Sequence, residues 1–493
     1  MNRKQKLIIN TSTGLIKQLV VVICGFILPR YMLSYYGSEV NGLVASITQF
    51  LGFISLLELG IGPVIQANLY GPLAQNDNEQ ISRIVISSER FFRKIAYIFL
   101  AYIVALAMVF PWLISEDFDA FYTVSLLLII AVSTFAQYYF GATYQLLLNA
   151  DQKAYVQTIL QIITVFLNTF FSIVLMKLGA SIHAVKLFTA VIFVLRPIGQ
   201  LAYVKHHYVI NKKIVITEEP INQKWSGFAQ HITAVVSANI SVTVLTFFST
   251  LSNISVYSVY YAVVGGVTTT IMTAAAGLES YFGNILVNEE KDTLDRSFAM
   301  IEWIMHMVVA IIFTITCITI VPFMKVYTAK ITDVNYILPS FGVLLTLAYA
   351  VQCLRIPYFR IIKAAGHFRE TQNGAFIAVG INIVISISLV FQYGLSGLAF
   401  GTLVAMLFHT VYFVWYLRKN ILNRSVFYFL KHLIVDVIIG VCAYMMTKRI
   451  IILELSYIGW IIYAVKVSLI TGIVAMVVSG FANVQMMKEI KLQ

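Results

Sequence analysis

Charge is scarce in this chain: Asp, Glu, Lys and Arg make up 11% of its 493 residues, and 59% are apolar. That balance excludes both a soluble globular domain and a disordered chain. Only four cysteines occur (Cys24, Cys317, Cys353, Cys442), each inside an apolar run and without metal-type spacing. Neither a disulfide framework nor a zinc site is therefore expected. There is no Gly-rich phosphate-cradling motif to drive work by nucleotide hydrolysis. No segment alternates apolar and polar residues over ~10 positions, which excludes a transmembrane β-barrel. A cleavable signal is not expected either, because the first apolar run is long, lacks a small-residue cleavage site and holds Lys17 and Arg30.

What the chain does have is long apolar runs. A membrane-crossing helix needs about 20 mostly apolar residues. Fourteen stretches qualify, which we number as spans 1 to 14: roughly 7–36, 38–71, 95–114, 122–148, 155–178, 181–203, 226–250, 255–287, 300–325, 335–359, 372–393, 395–417, 427–447 and 457–482. Several exceed the minimum length, so tilt or extension beyond the bilayer is expected.

The scarce charges fall between these runs in a regular rhythm. Clusters occur at Arg3/Lys4/Lys6, Arg83/Arg90/Arg93/Lys94, Lys205/Lys212/Lys213/Lys224, Lys291/Arg296, Arg360/Lys363/Arg369, Arg418/Lys419/Arg424/Lys431 and Lys488/Lys491, with Lys153 alone in one further turn. Of the 34 Lys and Arg, 23 lie on this side, six on the other and five inside spans. The positive-inside rule then places both termini and the 204–225 and 288–299 loops in the cytoplasm. The net charge of +12 follows from this topology and from attraction to anionic headgroups, so nucleic acid is not expected as a partner.

The two halves of the chain resemble each other. Ala150, Gln157 and Gly179 fall on Ala365, Gln372 and Gly394 at a shift of 215, and Val40 and Asn68 fall on Val256 and Asn284 at 216. Long span 2 coincides with long span 8. Spans 1–6 thus read as duplicated in spans 7–12 with the same orientation, a parallel repeat. The expected fold class is an all-α polytopic membrane protein with about 14 transmembrane helices, arranged as two pseudo-symmetric six-helix bundles plus two C-terminal helices. The expected divisions are 1–204, a cytoplasmic linker at 205–225, 226–420, and 421–493 for the extra pair.

Transporter sites tend to lie where corresponding spans of two repeats are interrupted. Span 2 carries Gly52 and Glu58-Leu59-Gly60-Ile61-Gly62-Pro63, and span 8 carries Gly265-Gly266 and Ala274-Ala275-Ala276-Gly277. Helix packing alone explains such glycines equally well. Ionisable residues inside spans are functional candidates by default. These are Lys17, Arg30, Glu58, Arg196, Arg355 and Lys466, with Glu279 near the end of span 8. At ~1.5 Å rise per residue Lys17 sits roughly 15 Å deep and Glu58 roughly 20 Å, so the two are expected to pair. With Glu58 and Glu279 taken as the intraspan carboxylates, the cations are in excess, which suits an anion and disfavours a cationic drug. His231 and His306 also lie in spans, where proton relay competes with plain hydrogen bonding. The substrate-cavity candidates are Lys17, Arg30, Glu58, Arg196, Glu279 and Arg355; no catalytic, cofactor or metal residue is indicated.

Asn10-Thr11, Pro29-Arg30-Tyr31, Gly42-Leu43-Val44, Leu56-Leu57-Glu58-Leu59-Gly60-Ile61-Gly62, Asn149-Ala150-Asp151 and Ala364-Ala365-Gly366 together resemble the Wzx-type polysaccharide flippases. These belong to the multidrug/oligosaccharidyl-lipid/polysaccharide (MOP) exporter superfamily. The resemblance covers the whole chain. One departure is Glu58, where the family often has Asp. The resemblance implies alternating-access translocation of an undecaprenyl-diphosphate-linked oligosaccharide to the outer leaflet of a bacterial plasma membrane. It further implies a cationic cavity lined by spans 1, 2, 7 and 8, and a lipid-tail groove at spans 13 and 14. No cofactor is implied beyond coupling to a proton or sodium gradient. The partners it implies are membrane lipids, a polysaccharide polymerase and glycosyltransferases. A lipid II or teichoic-acid precursor flippase and a multidrug antiporter remain alternatives. A membrane polymerase or ligase would need a sizeable outer loop with paired acid and base residues, and the outer loops here are short.

Overall fold

The computed structural model describes all residues except 1–2, 59, 115–116, 215–227, 289–290, 423, 453 and 483–493. The described residues are helical throughout, with no strand among them. Eleven continuous segments are long and apolar enough to cross a membrane. Two of these contain a glycine outside the helical region, Gly37 (φ 80°, ψ 177°) and Gly394 (φ 53°, ψ −133°). A 50-residue helix would run about 75 Å, well beyond a ~40–45 Å bilayer. Each therefore counts as two spans, and with Phe228–Phe248 the expected fourteen are reached.

The reversal at Gly394 is visible in the contacts between its two arms. Ser386 Oγ donates to Leu398 O (3.3 Å), Thr402 Oγ1 to Asn382 Oδ1 (3.5 Å) and Tyr412 OH to Glu370 O (3.2 Å), while Tyr416 OH lies 2.9 Å from His367 Nδ1. All four pairs are centred within a few residues of Gly394, as an antiparallel hairpin requires. Close approach is permitted by missing side chains: a Cβ on Gly397 would sit 2.3 Å from Leu389 O, and one on Gly401 2.4 Å from Ser386 Oγ. Gly179, its counterpart at a shift of 215, has the same left-handed backbone (φ 76°) in the turn between spans 5 and 6.

Some stretches expected as loops are helix. Span 3 runs from Asn78 to Leu113 and span 9 from Lys291 to Tyr327, so several basic clusters ride on helical extensions. Glu79–Arg83 (2.7 Å) and Glu89–Arg93 (3.4 Å) are i,i+4 pairs that support the first extension.

The chain divides into two compact units, 1–247 and 248–493. In the first, span 1 packs on span 5, span 5 on span 6, and span 4 on spans 3 and 6. Span 7 belongs to this unit by packing, through Ser46–Thr246 (2.7 Å) and the Gln49–Asn239 hydrogen bond. In the second, the 11–12 hairpin packs on span 10, and span 9 packs on spans 10, 13 and 14.

A shared network marks the duplication inside each unit. In the first, Tyr144 OH donates to Glu89 (2.5 Å), and Lys212 lies 3.7 Å from the same carboxylate. In the second, Tyr358 donates to Glu302, and Arg424 binds it at 2.6 and 3.0 Å. The three positions shift by 213, 214 and 212, so each repeat ties its third and fourth spans to the segment after its sixth. The turns between spans 4 and 5 and between spans 10 and 11 also match, with left-handed Gln152 (φ 57°) and Gly366 (φ 74°).

Two motifs of the family resemblance have structural roles at the first of these turns. Asn10 donates to Gln152 O and accepts from Tyr155 N. Asp151 binds Lys6 (3.0 Å), Lys153 (2.7 Å) and the Tyr208 hydroxyl (2.6 Å). Burial pushes the Asp151 carboxyl up, but hydrogen bonds from Lys153, Tyr208 and Lys6 outweigh it and hold the group below its ordinary value. A depressed carboxyl stabilises the fold above its unfolded value of about 3.9 and stops doing so as pH falls through its folded value. Asp151→Asn should therefore melt below wild type in detergent at neutral pH, and the gap should narrow as pH falls below the ordinary carboxyl value; a constant gap would refute this. Gly401→Ala should cost about 1–3 kcal/mol of unfolding free energy, since the backbone of Ser386 must move. Gly380→Ala, facing open space, should cost nothing.

Candidate functional site

Span 2 is interrupted as its sequence suggests. The first helix ends at Gly52, a 3₁₀ stretch covers Phe53–Glu58, and Gly60 adopts a left-handed conformation (φ 69°) before the helix restarts at Ile61. Pro63 then lies in the first turn of a new helix, where a missing N–H costs nothing. Span 8 is interrupted more mildly, by a 3₁₀ turn at Ala275–Gly277.

Glu58 ends the 3₁₀ stretch, and its carboxylate accepts the Tyr138 hydroxyl at 2.6 Å. Tyr138 lies within a π-helical turn of span 4, Gln137–Gly141, a type of defect that concentrates at functional positions. Span 6 approaches closely here: a Cβ on Gly141 would sit 2.8 Å from Pro197 Cβ. Two irregularities, in spans 2 and 4, thus adjoin one half-buried carboxylate, with Pro197 of span 6 close by. Tyr138 was not among the sequence candidates; tyrosine is too common in this chain, with 28 copies, to stand out.

Arg196 precedes Pro197 yet turns the other way. Its Nε donates to Thr164 Oγ1 of span 5 (2.5 Å), and its guanidinium lies 4.1 Å from the Phe193 ring centroid. The expected Lys17–Glu58 pair does not form among the described residues; the carboxylate's partner is the Tyr138 hydroxyl instead. Lys17 is half-buried with no hydrogen bond or ion pair among the described residues. Lys17 and Arg196 therefore share one property, a cation inside the membrane region without a carboxylate, on two helices that both pack against span 5.

The other candidates are distributed differently. Arg30 is half-buried beside Pro29 near the end of span 1, where Tyr36 OH binds Ala180 O (2.7 Å). Arg355 sits at the kink of span 10, and its Nη1 donates to His409 Nδ1 (2.5 Å). Glu279 is held by Arg360 (3.2 Å) and Lys363 (3.0 Å), tying span 8 to span 10. Among the described residues, Lys17, Glu58 and Arg196 of the first unit do not bond to one another, nor do Glu279 and Arg355 of the second. His231 carries a side chain outside the described set.

The expected count of intraspan carboxylates needs correction. Glu302 in span 9 and Asp436 in span 13 are also inside helices, paired with Arg424 and His306. Both were visible as acids within apolar runs. The excess of cations is smaller than expected overall and lies in the first unit, where Lys186 of span 6 has Met32 Sδ at 3.7 Å as its contact.

Removing the Tyr138 hydroxyl leaves the Glu58 carboxylate without its donor. Tyr138→Phe should cost about 1.5–3 kcal/mol in unfolding, and much less in a Glu58→Gln background. Equal costs in both backgrounds would show that the pair carries no coupling.

No family model and no curated protein matches the chain. Solved structures do. The lipid II flippase MurJ, in an inward closed conformation, superposes with a TM-score of 0.73 at 15% identity, over 97% of this chain and all of that one. A multidrug resistance MATE family transporter of the MOP superfamily matches in its inward-facing form (TM-score 0.60, 14% identity, 82% of this chain, 99% of the other) and its outward-facing form (0.54, 14%, 83% and 96%). In fold the chain is similar to the transporters and flippases of the MOP superfamily.

Proposed function

We propose that this protein is a flippase that moves an undecaprenyl-diphosphate-linked oligosaccharide from the cytoplasmic to the outer leaflet of the bacterial plasma membrane by alternating access. Its termini lie in the cytoplasm, as the basic loops indicate. The observation that carries the reading is coverage. The lipid II flippase accounts for 97% of the chain, whereas the multidrug transporters leave 15–18% unmatched. Residues 421–493, the extra helix pair, make up about 15% of the chain.

The chemistry agrees. A diphosphate cannot cross hydrocarbon without a polar path. Lys17 and Arg196, lacking carboxylates, are suited to hold its charge. A proton or sodium gradient would supply the driving force, and a polysaccharide polymerase and glycosyltransferases would act on either side of the step. The same coverage supports a second reading, a lipid II precursor as the cargo.

Deletion of the gene should cause a polyprenyl-diphosphate oligosaccharide to accumulate. A disaccharide-pentapeptide lipid in its place would select the second reading, and lost drug resistance with no lipid accumulating would overturn both. Lys17→Ala and Arg196→Ala should each lower surface export about tenfold or more at matched protein levels, the effect of losing one charge-assisted contact. Normal export by both variants would remove these residues from the path.

A further inference from the structure

The second unit holds a buried polar cluster that the proposed substrate path does not use. Glu302 and His306 lie one turn apart on span 9, on one face of the helix. His306 is 3% exposed, and its Nδ1 lies 2.5 Å from Asp436 Oδ2 on span 13. Its Nε2 is buried without a hydrogen-bond partner. His432, also 3% exposed and one turn before Asp436, places its ring 5.2 Å from that of His306.

Further polar groups lie between this pair and the basic end of the helices, with one aromatic ring interposed. The Phe429 ring stands between His306 (5.5 Å) and Tyr358 (5.9 Å). Tyr358 donates to Glu302, which Arg424 also binds. A cavity of about 10 Å³, enough for one water, is lined by Glu302, Tyr358, Arg418, Arg424, Ser425 and Phe429. The charged or titratable groups around the pair are thus Glu302 from span 9, Tyr358 from span 10, Arg424 from the preceding turn, and His432 and Lys431 from span 13. Span 14 contributes Ile470, Val474 and Ala475 to the packing one turn further on, and its Lys466 is exposed.

Comparison of the repeats sharpens the point. The shift that carries Glu89 onto Glu302 carries Arg93 onto His306. The first repeat thus has a permanent cation there, paired with Glu89 at 3.4 Å. The second has an imidazole, the side chain whose charge changes in the physiological range. Its carboxylate comes from span 13, a helix outside the duplication.

We propose that His306 and Asp436 form a proton-binding site, loaded from the basic face past Glu302, whose occupancy sets how span 13 docks on span 9. Neutral His306 donates Nδ1–H to the Asp436 carboxylate, and the pair bears one negative charge. A proton taken up at Nε2 gives imidazolium beside carboxylate, and the pair is neutral. Release restores the charge in a low-dielectric contact and weakens the docking. The coupling of this site to transport rests on the flippase reading; the proton binding does not.

The test uses the purified full-length protein with isotope-labelled histidine, followed by infrared difference spectroscopy across about pH 5–8. One imidazole protonation signal should be lost in His306→Gln and altered in Asp436→Asn, while Asp436→Glu keeps it. An unchanged titration in His306→Gln or in Asp436→Asn would overturn the site. His306→Arg, which installs the fixed cation of the first repeat, should lower export at least about tenfold at matched protein level and melting temperature. Normal export by that variant would overturn the coupling. Should gene deletion accumulate no lipid-linked sugar, the flippase reading fails while the titration still decides the proton site.

Discussion

Inside hydrocarbon no water is available to satisfy a stray peptide group or an unpaired charge, and the rest of this structure is organised around that shortage. It accounts for the all-helical chain and for the placement of each departure from helix. The 3₁₀ stretch and left-handed Gly60 of span 2 adjoin the π turn of span 4, and the Glu58 carboxylate exposed by the break receives the Tyr138 hydroxyl. The reversal at Gly394 is lined by Ser386, Asn382 and Thr402, whose side chains bond across the hairpin.

The same constraint makes unneutralised charge informative. Glu279, Glu302, Asp151 and Arg355 all have close partners and act as ties between helices. Among the described residues Lys17 and Arg196 lack a carboxylate partner, and the proposed contact to a diphosphate rests on that. The duplication gives a second measure of meaning. Glu89–Tyr144–Lys212 and Glu302–Tyr358–Arg424 are one device used twice, which argues for a structural role. Arg93 and His306 occupy one position with different chemistry, which argues for a specialised one.

Much of the fold was legible beforehand because the relevant physics is local. Apolar length predicted fourteen spans, and the pairing of Gly179 with Gly394 survives as two left-handed turns. The interruption of spans 2 and 8 was readable from Gly60, Pro63 and the Ala-Gly run. The site was less legible. Depth along the helix suggested Lys17 for Glu58, but depth says nothing about which way a side chain faces around its axis. Arg196 and Pro197 are neighbours in sequence, yet one contacts span 5 and the other span 4. Glu302 and Asp436 are legible in the sequence as acids inside apolar runs, but their partners, Arg424 and His306, are not.

The sequence by itself determined the helical class, the number of crossings and the places where spans 2 and 8 break. Transfer into hydrocarbon is set residue by residue, so these follow without knowledge of any contact. Only the tertiary structure decided which charges are neutralised. Glu58 and Tyr138 lie 80 positions apart, and His306 and Asp436 lie 130 apart. Such pairings depend on the rotation and packing of separate helices, and composition and spacing carry no record of either.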